Sequence, residues 1–453
     1  MIDTHAHLDF PEFDSDRDEL IKSFYNNGVK FIVNIGVDLE TSKASIALAE
    51  KYKPIYAAVG YHPHDSKHFN DEIYAEIKSL AKHPKVVAIG EIGLDFFRDR
   101  SPRDVQIEVF KRQLDLADEL NMPVVLHIRE AIEQAYEILR ERKRHAGVLH
   151  AFPGDREHAA VGVAMGYHIA FGGPITYPNS DRSDVAATVP ISRIVTETDC
   201  PYLPPQKYRG KRNQPKFIMH TIDKLAEVFP KYRADDIERI TELNAARMFK
   251  LPLDNPPKAV YRIGDSLYIN LTMRCTNNCY FCVKNQDGHV AGHNLNLSHE
   301  PTEEEILTGI ETHKGYTEIV FCGLGEPTLR AALMLKLASV LKDKEVPIRL
   351  DTNGQGSLIN KTDLPSKMAG LIDSVSVSLN AENAPKYAAI CKPQFGENAY
   401  EEVLRFAAGC REMKIKTVLS VVEIPEINLE KCRKVAVEIG VPIRVRKYVT
   451  VQT

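Results

Sequence analysis

The sequence predicts an α/β protein in two parts, a closed (β/α)8 TIM barrel followed by a partial, open (β/α)6 barrel. Three observations carry this expectation. The chain has 453 residues, too many for one ordinary core and enough for two domains of about 200 to 250 residues each. Short β-rich runs alternate with amphipathic helical stretches, the pattern of a parallel sheet covered by helices. The stretch Leu251-Pro252-Leu253-Asp254-Asn255-Pro256-Pro257 interrupts that alternation as a proline-rich, fairly stiff boundary. The expected domains are residues 1–253 and 261–453, with a linker at 254–260.

In the first part, strands are expected at Ile2-His7, Val29-Gly36, Ile55-Tyr61, Val86-Asp95, Val124-Ile128, Gly147-Phe152, His168-Gly172 and Ile194-Asp199. Helix-like stretches such as Pro102-Glu119 follow them. Barrels of this kind gather their functional groups at the C-terminal ends of the strands. There the sequence places His5 and His7, then His62, Glu91, His127 with Arg129, His150 and Asp199. Side chains alternate along a strand, so His5 and His7 project the same way and make a natural start for a metal site. One polar residue at a strand end commonly caps the next helix. Polar residues at six strand ends converge on a shared mouth. Imidazole and carboxylate donors suit Zn2+, Mn2+ and similar ions without choosing among them.

After Asp199 runs the loop Pro204-Pro205-Gln206-Lys207-Tyr208-Arg209-Gly210-Lys211-Arg212. Its four cations and tyrosine, anchored directly behind a strand end of the mouth, are suited to drawing in a polyanionic backbone. A net charge of -4 gives the whole chain no bulk attraction to nucleic acid, so such a partner must be held locally. With no charged-then-apolar leader and no apolar run of about 18 residues, the expected location is cytoplasmic, without a membrane partner. The oligomeric state is not legible.

In the second part, strands are expected at Ser266-Leu271, Glu318-Cys322, Ile348-Thr352, Ser374-Leu379, Val418-Val422 and Ile443-Tyr448, with helices such as Thr302-Thr312 and Ala399-Met413 between them. All eight cysteines lie at Cys200 or beyond, and Cys275, Cys279 and Cys282 cluster in the loop after the first of these strands. Such clustering argues for a metal or cluster site over a disulfide framework. Three thiolates at this spacing can hold three irons of a [4Fe-4S] cluster and leave the fourth open. A zinc site completed by His289 or His293 is the competing reading.

Taken together, Asp3-Thr4-His5-Ala6-His7-Leu8-Asp9, Gly60-Tyr61-His62-Pro63, Gly90-Glu91-Ile92-Gly93-Leu94-Asp95, Leu126-His127-Ile128-Arg129, His150-Ala151-Phe152 and Glu197-Thr198-Asp199-Cys200-Pro201-Tyr202-Leu203 resemble the TatD family of metal-dependent hydrolases. The resemblance spans nearly all of residues 1–253. It implies two divalent metal ions (Zn, Mn or Mg) held by His5, His7, Glu91, His127, His150 and Asp199, with Glu91 bridging and Asp199 doubling as the acid/base group. It further implies hydrolysis of phosphoesters, as in a 3'-5' deoxyribonuclease-type nuclease, with nucleic acid or another phosphoester as substrate. His62 and Arg129 are expected to orient phosphate. Where the family usually carries an acid, this chain has Gln214. Deacylation or C–N hydrolysis is the alternative, since this barrel supports those chemistries too.

The second part resembles the radical SAM enzymes, through the CxxxCxxC motif with Phe281 before its last cysteine and through Gly323-Leu324-Gly325-Glu326-Pro327-Thr328. The resemblance makes the partial barrel a (β/α)6 radical SAM barrel with one [4Fe-4S] cluster. It implies contacts of Gly323, Gly325 and Glu326 with the methionine part of S-adenosylmethionine, and of Asp351, Asn353, Ser378 and Asn380 with its ribose or carboxylate. Reductive cleavage to a 5'-deoxyadenosyl radical is then expected, with a reductant such as flavodoxin or ferredoxin as partner. The alternative is a sensor or docking module for the hydrolase. Together the two halves resemble the TatD-associated radical SAM proteins.

Overall fold

A computed structural model describes residues 1–142 and 146–448. The chain forms two compact units, one of residues 1–254 and one beginning at Asn255. Residues 449–453, the end of the expected second domain, lie outside the described part.

In the first unit eight strands follow one another around a parallel sheet in sequence order. They are β1 (Ile2–Ala6), β2 (Phe31–Ile35), β3 (Ile55–Val59), β4 (Val86–Asp95), β5 (Val124–Arg129), β6 (Gly147–Leu149), β7 (His168–Phe171) and β8 (Ile194–Thr196). The ring closes where the end of β1 meets the chain after β8. His7 donates its backbone N–H to Cys200 O at 2.8 Å, and Asp199 N donates to His5 O at 2.9 Å. The buried Asp3 carboxylate adds a side-chain stitch, accepting from Thr198 N at 2.9 Å and from Thr198 Oγ1 at 2.6 Å.

The alternation of each strand fills both faces. Ile2, Val33, Ala58, Ala88, Val125, Val148, Ala170 and Val195, one from each strand, join a single cluster with Ala245, Met248 and Phe249 of the helix Ala234–Phe249. The opposite faces pack under the helices in a larger core containing Phe110, Leu114 and Tyr136. Each large apolar side chain so buried stabilises the fold by about 2 kcal/mol before entropy is counted.

The helix Arg103–Leu120 shows how this packing positions the mouth. Its inner face is not purely apolar. Gln106 and Gln113 are buried on it, and their amide oxygens accept from Asp95 N at 2.9 Å and from Tyr61 N at 2.8 Å. Two glutamines thus pin the strand ends that carry Asp95 and His62.

The second unit holds a seven-stranded sheet and a small hairpin. Its strands are β9 (Val260–Ile263), β10 (Ser266–Ile269), the hairpin β11 (His289–Val290) and β12 (His293–Asn294), then β13 (Glu318–Phe321), β14 (Ile348–Thr352), β15 (Ser374–Ser378), β16 (Lys416–Glu423) and β17 (Ile443–Lys447). The sheet runs in the order β17-β16-β15-β14-β13-β10-β9, and its six expected strands are all parallel. The seventh is a correction. Val260 belongs to the strand β9, antiparallel to β10, and not to the linker that the prolines suggested. Gly264 and Asp265 make the short turn between the two strands, and this local pairing captures the end of the expected linker.

Leu267, Phe321, Leu350, Val375, Val377 and Leu419 face the helices in one core. Among the intervening positions, Arg349, Asp351, Ser374, Ser376, Arg444 and Arg446 are polar and line the concave side, beside the apolar Val320, Val418 and Val422.

Candidate functional site

The mouth of the first barrel brings together most of the strand-end residues. His5 Nε2 lies 3.2 Å from His7 Nε2, 3.4 Å from Glu91 Oε2 and 3.7 Å from Asp199 Oδ1. His7 Nε2 lies 3.5 Å from the same Asp199 oxygen. Across the mouth, Glu91 Oε1 is 2.8 Å from His127 Nδ1 and 3.9 Å from His150 Nε2. The two oxygens of Glu91 therefore face two different histidine groups. His5, His7, Glu91 and His150 are each no more than 5% exposed. Asp199 sits just past β8 in the left-handed region, at φ 58°, which an aspartate tolerates better than most residues.

Hydrogen bonds decide which nitrogen each imidazole offers. A carbonyl or carboxylate oxygen can only accept here, so the nitrogen facing it carries the proton and the other keeps its lone pair. His7 donates through Nδ1 to Ile35 O at 3.1 Å. His150 donates through Nδ1 to Glu197 Oε2 at 3.0 Å, and His127 donates through Nε2 to Asp95 Oδ2 at 3.1 Å. In His7 and His150 the remaining nitrogen points into the mouth, whereas His127 Nδ1 meets a second carboxylate oxygen, that of Glu91, at 2.8 Å. His62 is the reverse case. Its Nδ1 accepts from His64 N at 3.1 Å, so the neutral ring carries its proton on Nε2, which faces Glu91 Oε1 at 3.8 Å. The ligating atoms of His62, Glu91 and His127 lie within 4.8 Å of one another, but His62 presents a donor where a ligand needs a lone pair. Arg129 is exposed at the rim, its guanidinium 4.0 Å over the ring of Phe97.

The electrostatics agree with a cation site. Burial pushes the Glu91 carboxyl up, but His5 and His127 hold it well below its ordinary value. Burial likewise opposes ionisation of Asp199, and His150 and His7 lower it on balance. Burial depresses the imidazole of His150, yet Glu197 and Asp199 push it up to about 10, which marks a strongly negative pocket. Buried carboxylates facing imidazole lone pairs, with His5 Nδ1 buried and without a hydrogen-bond partner, fit a pair of divalent ions.

Sequence reading passed over Asp95 and Glu197 as site residues, although both lie in the quoted motifs. Asp95 is fully buried and receives both His127 Nε2 and His64 Nε2, the latter at 2.9 Å. Burial raises its carboxyl, but those two rings hold it far below the usual carboxylate range. Strand parity was the available signal, since 91 and 95, like 197 and 199, fall on the same face of an extended chain.

The basic loop behind Asp199 is less free than its composition suggests. Arg212 pairs with both oxygens of Asp16, at 2.7 and 2.5 Å, and lies over the ring of Phe13. It is part of the scaffold. Arg209 lies over Tyr177, and Tyr208 stacks on Phe217 with centroids 3.8 Å apart.

In the second unit Cys275, Cys279 and Cys282 are half-buried on the loop after β10. The loop is clamped from below. Thr276 Oγ1 donates to Gln355 Oε1 at 2.8 Å, and Asn277 Nδ2 donates to Tyr387 OH at 2.9 Å. Asn353 Nδ2 donates to Thr276 Oγ1 at 2.8 Å and lies 3.9 Å from Cys275 Sγ. Tyr387 has no motif around it, and Gln355 lies one residue past the segment read for cofactor contacts, so sequence reading passed over both.

Gly325 lets the next turn reach this loop. A Cβ there would fall 2.2 Å from Thr272 O and 2.4 Å from Arg274 O. At Gly323 it would fall 1.9 Å from Asn270 Oδ1. Glu326, expected to touch the cofactor, is 2% exposed. One of its oxygens accepts from Thr328 Oγ1 at 2.6 Å and Thr352 Oγ1 at 2.7 Å, the other from Asn353 N at 2.7 Å. Its carboxylate thus braces Asn353 against the cysteine loop. Asp351 is held by Arg349 Nη1 at 3.0 Å. Ser378 is half-buried at the end of β15, and Asn380 is 7% exposed just beyond it.

Phe281 packs on the main core of the unit. Burial pushes the Cys275 thiol up to about 12, helped by Glu326, and the Cys282 thiol is raised by burial too. Three soft sulfur donors on one braced loop fit an iron–sulfur cluster. His289 and His293, the alternative zinc partners, sit on the hairpin, where each has a ring nitrogen 2.9 Å from a backbone carbonyl, that of Asp287 and that of Arg262.

Residues 2–250 match the family described as TatD related DNase, and residues 269–438 match the Radical SAM superfamily. Among similar proteins, the uncharacterized metal-dependent hydrolase YabD of Bacillus subtilis is 40% identical over 254 residues, which cover 55% of this chain and 99% of that protein. The 3'-5' ssDNA/RNA exonuclease TatD of Cronobacter sakazakii is 34% identical over 260 residues, 55% of this chain and 97% of that one. The crystal structure of YjjV, a TatD homolog from Escherichia coli K12, superposes with a TM-score of 0.52 at 34% identity, covering 56% of this chain and 98% of its own. These relatives account for the first unit alone. No helix among the described residues is long and apolar enough to cross a membrane. The chain belongs to the TatD family of metal-dependent hydrolases through its first unit and carries a radical SAM domain in its second, so it joins two enzymatic domains.

Proposed function

We propose that the first unit is a two-metal phosphodiesterase that releases nucleotides from the 3' end of single-stranded nucleic acid. The observation that carries this is Glu91, whose two oxygens face two separate histidine groups, with His5 and His7 on one side and His127 and His150 on the other. Divalent ions held by these residues and Asp199 would lower the pKa of a water and take up charge on phosphoryl oxygens.

The chain's own groups do the rest. Asp199, ionised and at the lip of the cluster, accepts the proton of the attacking water and returns it to the leaving oxygen. His62 offers its Nε2–H to a non-bridging phosphate oxygen, a role its tautomer suits and that of a ligand does not. At the rim, Tyr202 is 48% exposed and Phe97 is 49% exposed, the latter carrying Arg129. Exposed aromatic faces beside a phosphate site favour unpaired bases, and the Cronobacter relative bears the name of a single-strand exonuclease.

The second unit, in this reading, holds a [4Fe-4S] cluster on Cys275, Cys279 and Cys282 and S-adenosylmethionine against Gly323, Gly325, Asn353 and Asn380. Cluster and cofactor together supply reductive cleavage of the C5'–S bond, with the electron from a flavodoxin or ferredoxin. The chain contributes the braced loop and a polar hollow beneath it.

The test uses the full chain, loaded with Mn2+ or Zn2+ and given 3'-labelled single-stranded DNA. Mononucleotide release that disappears in Asp199→Ala supports the assignment; activity on esters or amides alone would sink it. Anaerobic reconstitution with dithionite and S-adenosylmethionine should yield 5'-deoxyadenosine.

A further inference from the structure

The concave side of the second unit's sheet is a charged hollow. On β15 the side chains facing it are Ser374, Ser376 and Ser378, while Val375 and Val377 face the helices. Three hydroxymethyl groups in a row leave space that apolar side chains would fill. A cavity of about 360 Å3 opens there, near the N-terminal ends of the strands, and its lining includes Glu318, Arg349, Ser374, Lys416 and Arg444.

The charges in it do not balance. Arg349 bridges Glu318, with Nε and Nη2 each 3.2 Å from a carboxylate oxygen, and reaches Asp351 at 3.0 Å. Arg446 lies 3.8 Å from Asp351 and donates to Ser376 Oγ at 3.4 Å. The nearby carboxylate of Asp373 is taken by Lys342 at 2.8 Å and by Ile348 N at 2.8 Å. Among the described residues, the side chains of Lys416 and Arg444 make no hydrogen bond or ion pair, although Lys416 is near enough to Asp373 to help hold its carboxyl down, and both are exposed. Four cations thus face two carboxylates.

Charge on β17 alone would be explained by its place at the sheet edge, where charged side chains discourage pairing with another strand. That account does not reach Lys416, one strand in, or Arg349, three strands in.

We infer that this hollow binds the substrate of the radical domain, and that the substrate is an elongated organic acid or phosphate ester, long enough to span the strands, whose anionic end is anchored by Lys416 and Arg444. Guanidinium and ammonium groups over a floor of serine hydroxyls recognise carboxylate or phosphate oxygens. Anchored at the bottom of the sheet, such a molecule would direct its other end toward the cysteine loop at the opposite strand ends. The inference rests on the radical reading above.

The full chain, freed of divalent ions by chelation so that the first unit's cluster does not capture the probe, is titrated calorimetrically with inorganic pyrophosphate and with citrate. One site per chain is expected for at least one of them, weakened tenfold or more in Lys416→Glu/Arg444→Glu and unchanged in the remote control Lys314→Glu. Binding of pyrophosphate alone assigns a phosphate ester, and binding of citrate alone assigns a carboxylic acid. No binding of either, or binding that survives the double substitution, overturns the inference. Formation of 5'-deoxyadenosine, measured in parallel, separates the two readings. Anion binding without it leaves the anion site standing and removes its role as a radical substrate site.

Discussion

Glu197 accepts the Nδ1 proton of His150 at 3.0 Å, and its other oxygen accepts from Ala151 N at 2.7 Å. The carboxylate is thereby fixed, and it fixes in turn which nitrogen of His150 faces the mouth. Glu197→Gln keeps the shape but can present an NH2 to Nδ1 and favour the wrong tautomer. Divalent-ion affinity is expected to fall by roughly 10- to 100-fold, the usual effect of removing such a partner. A metal titration followed by calorimetry measures it; unchanged affinity would show that His150 needs no orienting group.

His62 is a donor in this arrangement, not a ligand. His62→Phe should lower kcat for a diester by roughly 100- to 1,000-fold, the loss of one transition-state hydrogen bond, while the number of bound ions stays the same. A drop in metal stoichiometry, read by elemental analysis, would make His62 a ligand instead.

Tyr202 stands beside His7, with ring centroids 6.5 Å apart, and is half exposed. If it receives an unpaired base, Tyr202→Ala raises KM for single-stranded oligonucleotides by about 5- to 160-fold, given about 1 to 3 kcal/mol per stacked base. Hydrolysis of bis(p-nitrophenyl) phosphate should hardly change. Equal losses on both substrates would argue for a general disturbance of the mouth.

Cys282→Ser should abolish the visible absorption of the reconstituted cluster and the formation of 5'-deoxyadenosine, since a three-cysteine set has no spare sulfur. Diester hydrolysis by the first unit should persist. A variant that keeps its cluster would move the third ligand elsewhere.

His168, the first residue of β7, sits at the end of the barrel away from the mouth. Burial, with Arg193 and Arg247 nearby, pushes its imidazole down to about 3. The unfolded chain then binds a proton that the folded chain refuses, so stability is complete above the ordinary imidazole value near 6.5 and declines as pH falls from there toward 3. Between pH 7 and pH 4.5, His168→Gln should lessen the loss of folding stability by about 2 kcal/mol. Urea unfolding at the two pH values checks it, and an unaltered pH dependence would mean that His168 is protonated in the native state.

Much of the fold was legible because each strand in the first unit is buried on both faces and bounded by glycine, proline or a polar cap, and the eight expected strands all form. Their ends were less legible. His7 and Asp199, read as the last residues of strands, and His150, read inside the strand Gly147-Phe152, lie just beyond them, because the strands stop where the ring closes or the loops turn inward. β9 was missed since four residues of alternating pattern after a proline cluster carry little signal until Gly264-Asp265 folds them back on β10. The bracing of Glu326 and the pairing of Arg212 with Asp16 were beyond reach for a simpler reason. Asp16 is nearly two hundred residues from Arg212, and no local pattern joins them.

The sequence by itself determined which residues reach the mouth, because parity along a strand and position at its C-terminal end depend only on local order. It also determined that three sulfurs share one loop. Only the tertiary structure decided what each histidine presents. The partners that hold the rings are Ile35 O, Asp95, Glu197 and His64 N, and for His7, His127 and His150 they come from other strands or the segments following them. An imidazole has two chemically different nitrogens, and the proton goes to the one that meets an acceptor. That choice separates the lone pairs of His7 and His150 from the donor of His62, and it is made by strand neighbours that no reading along the chain brings together.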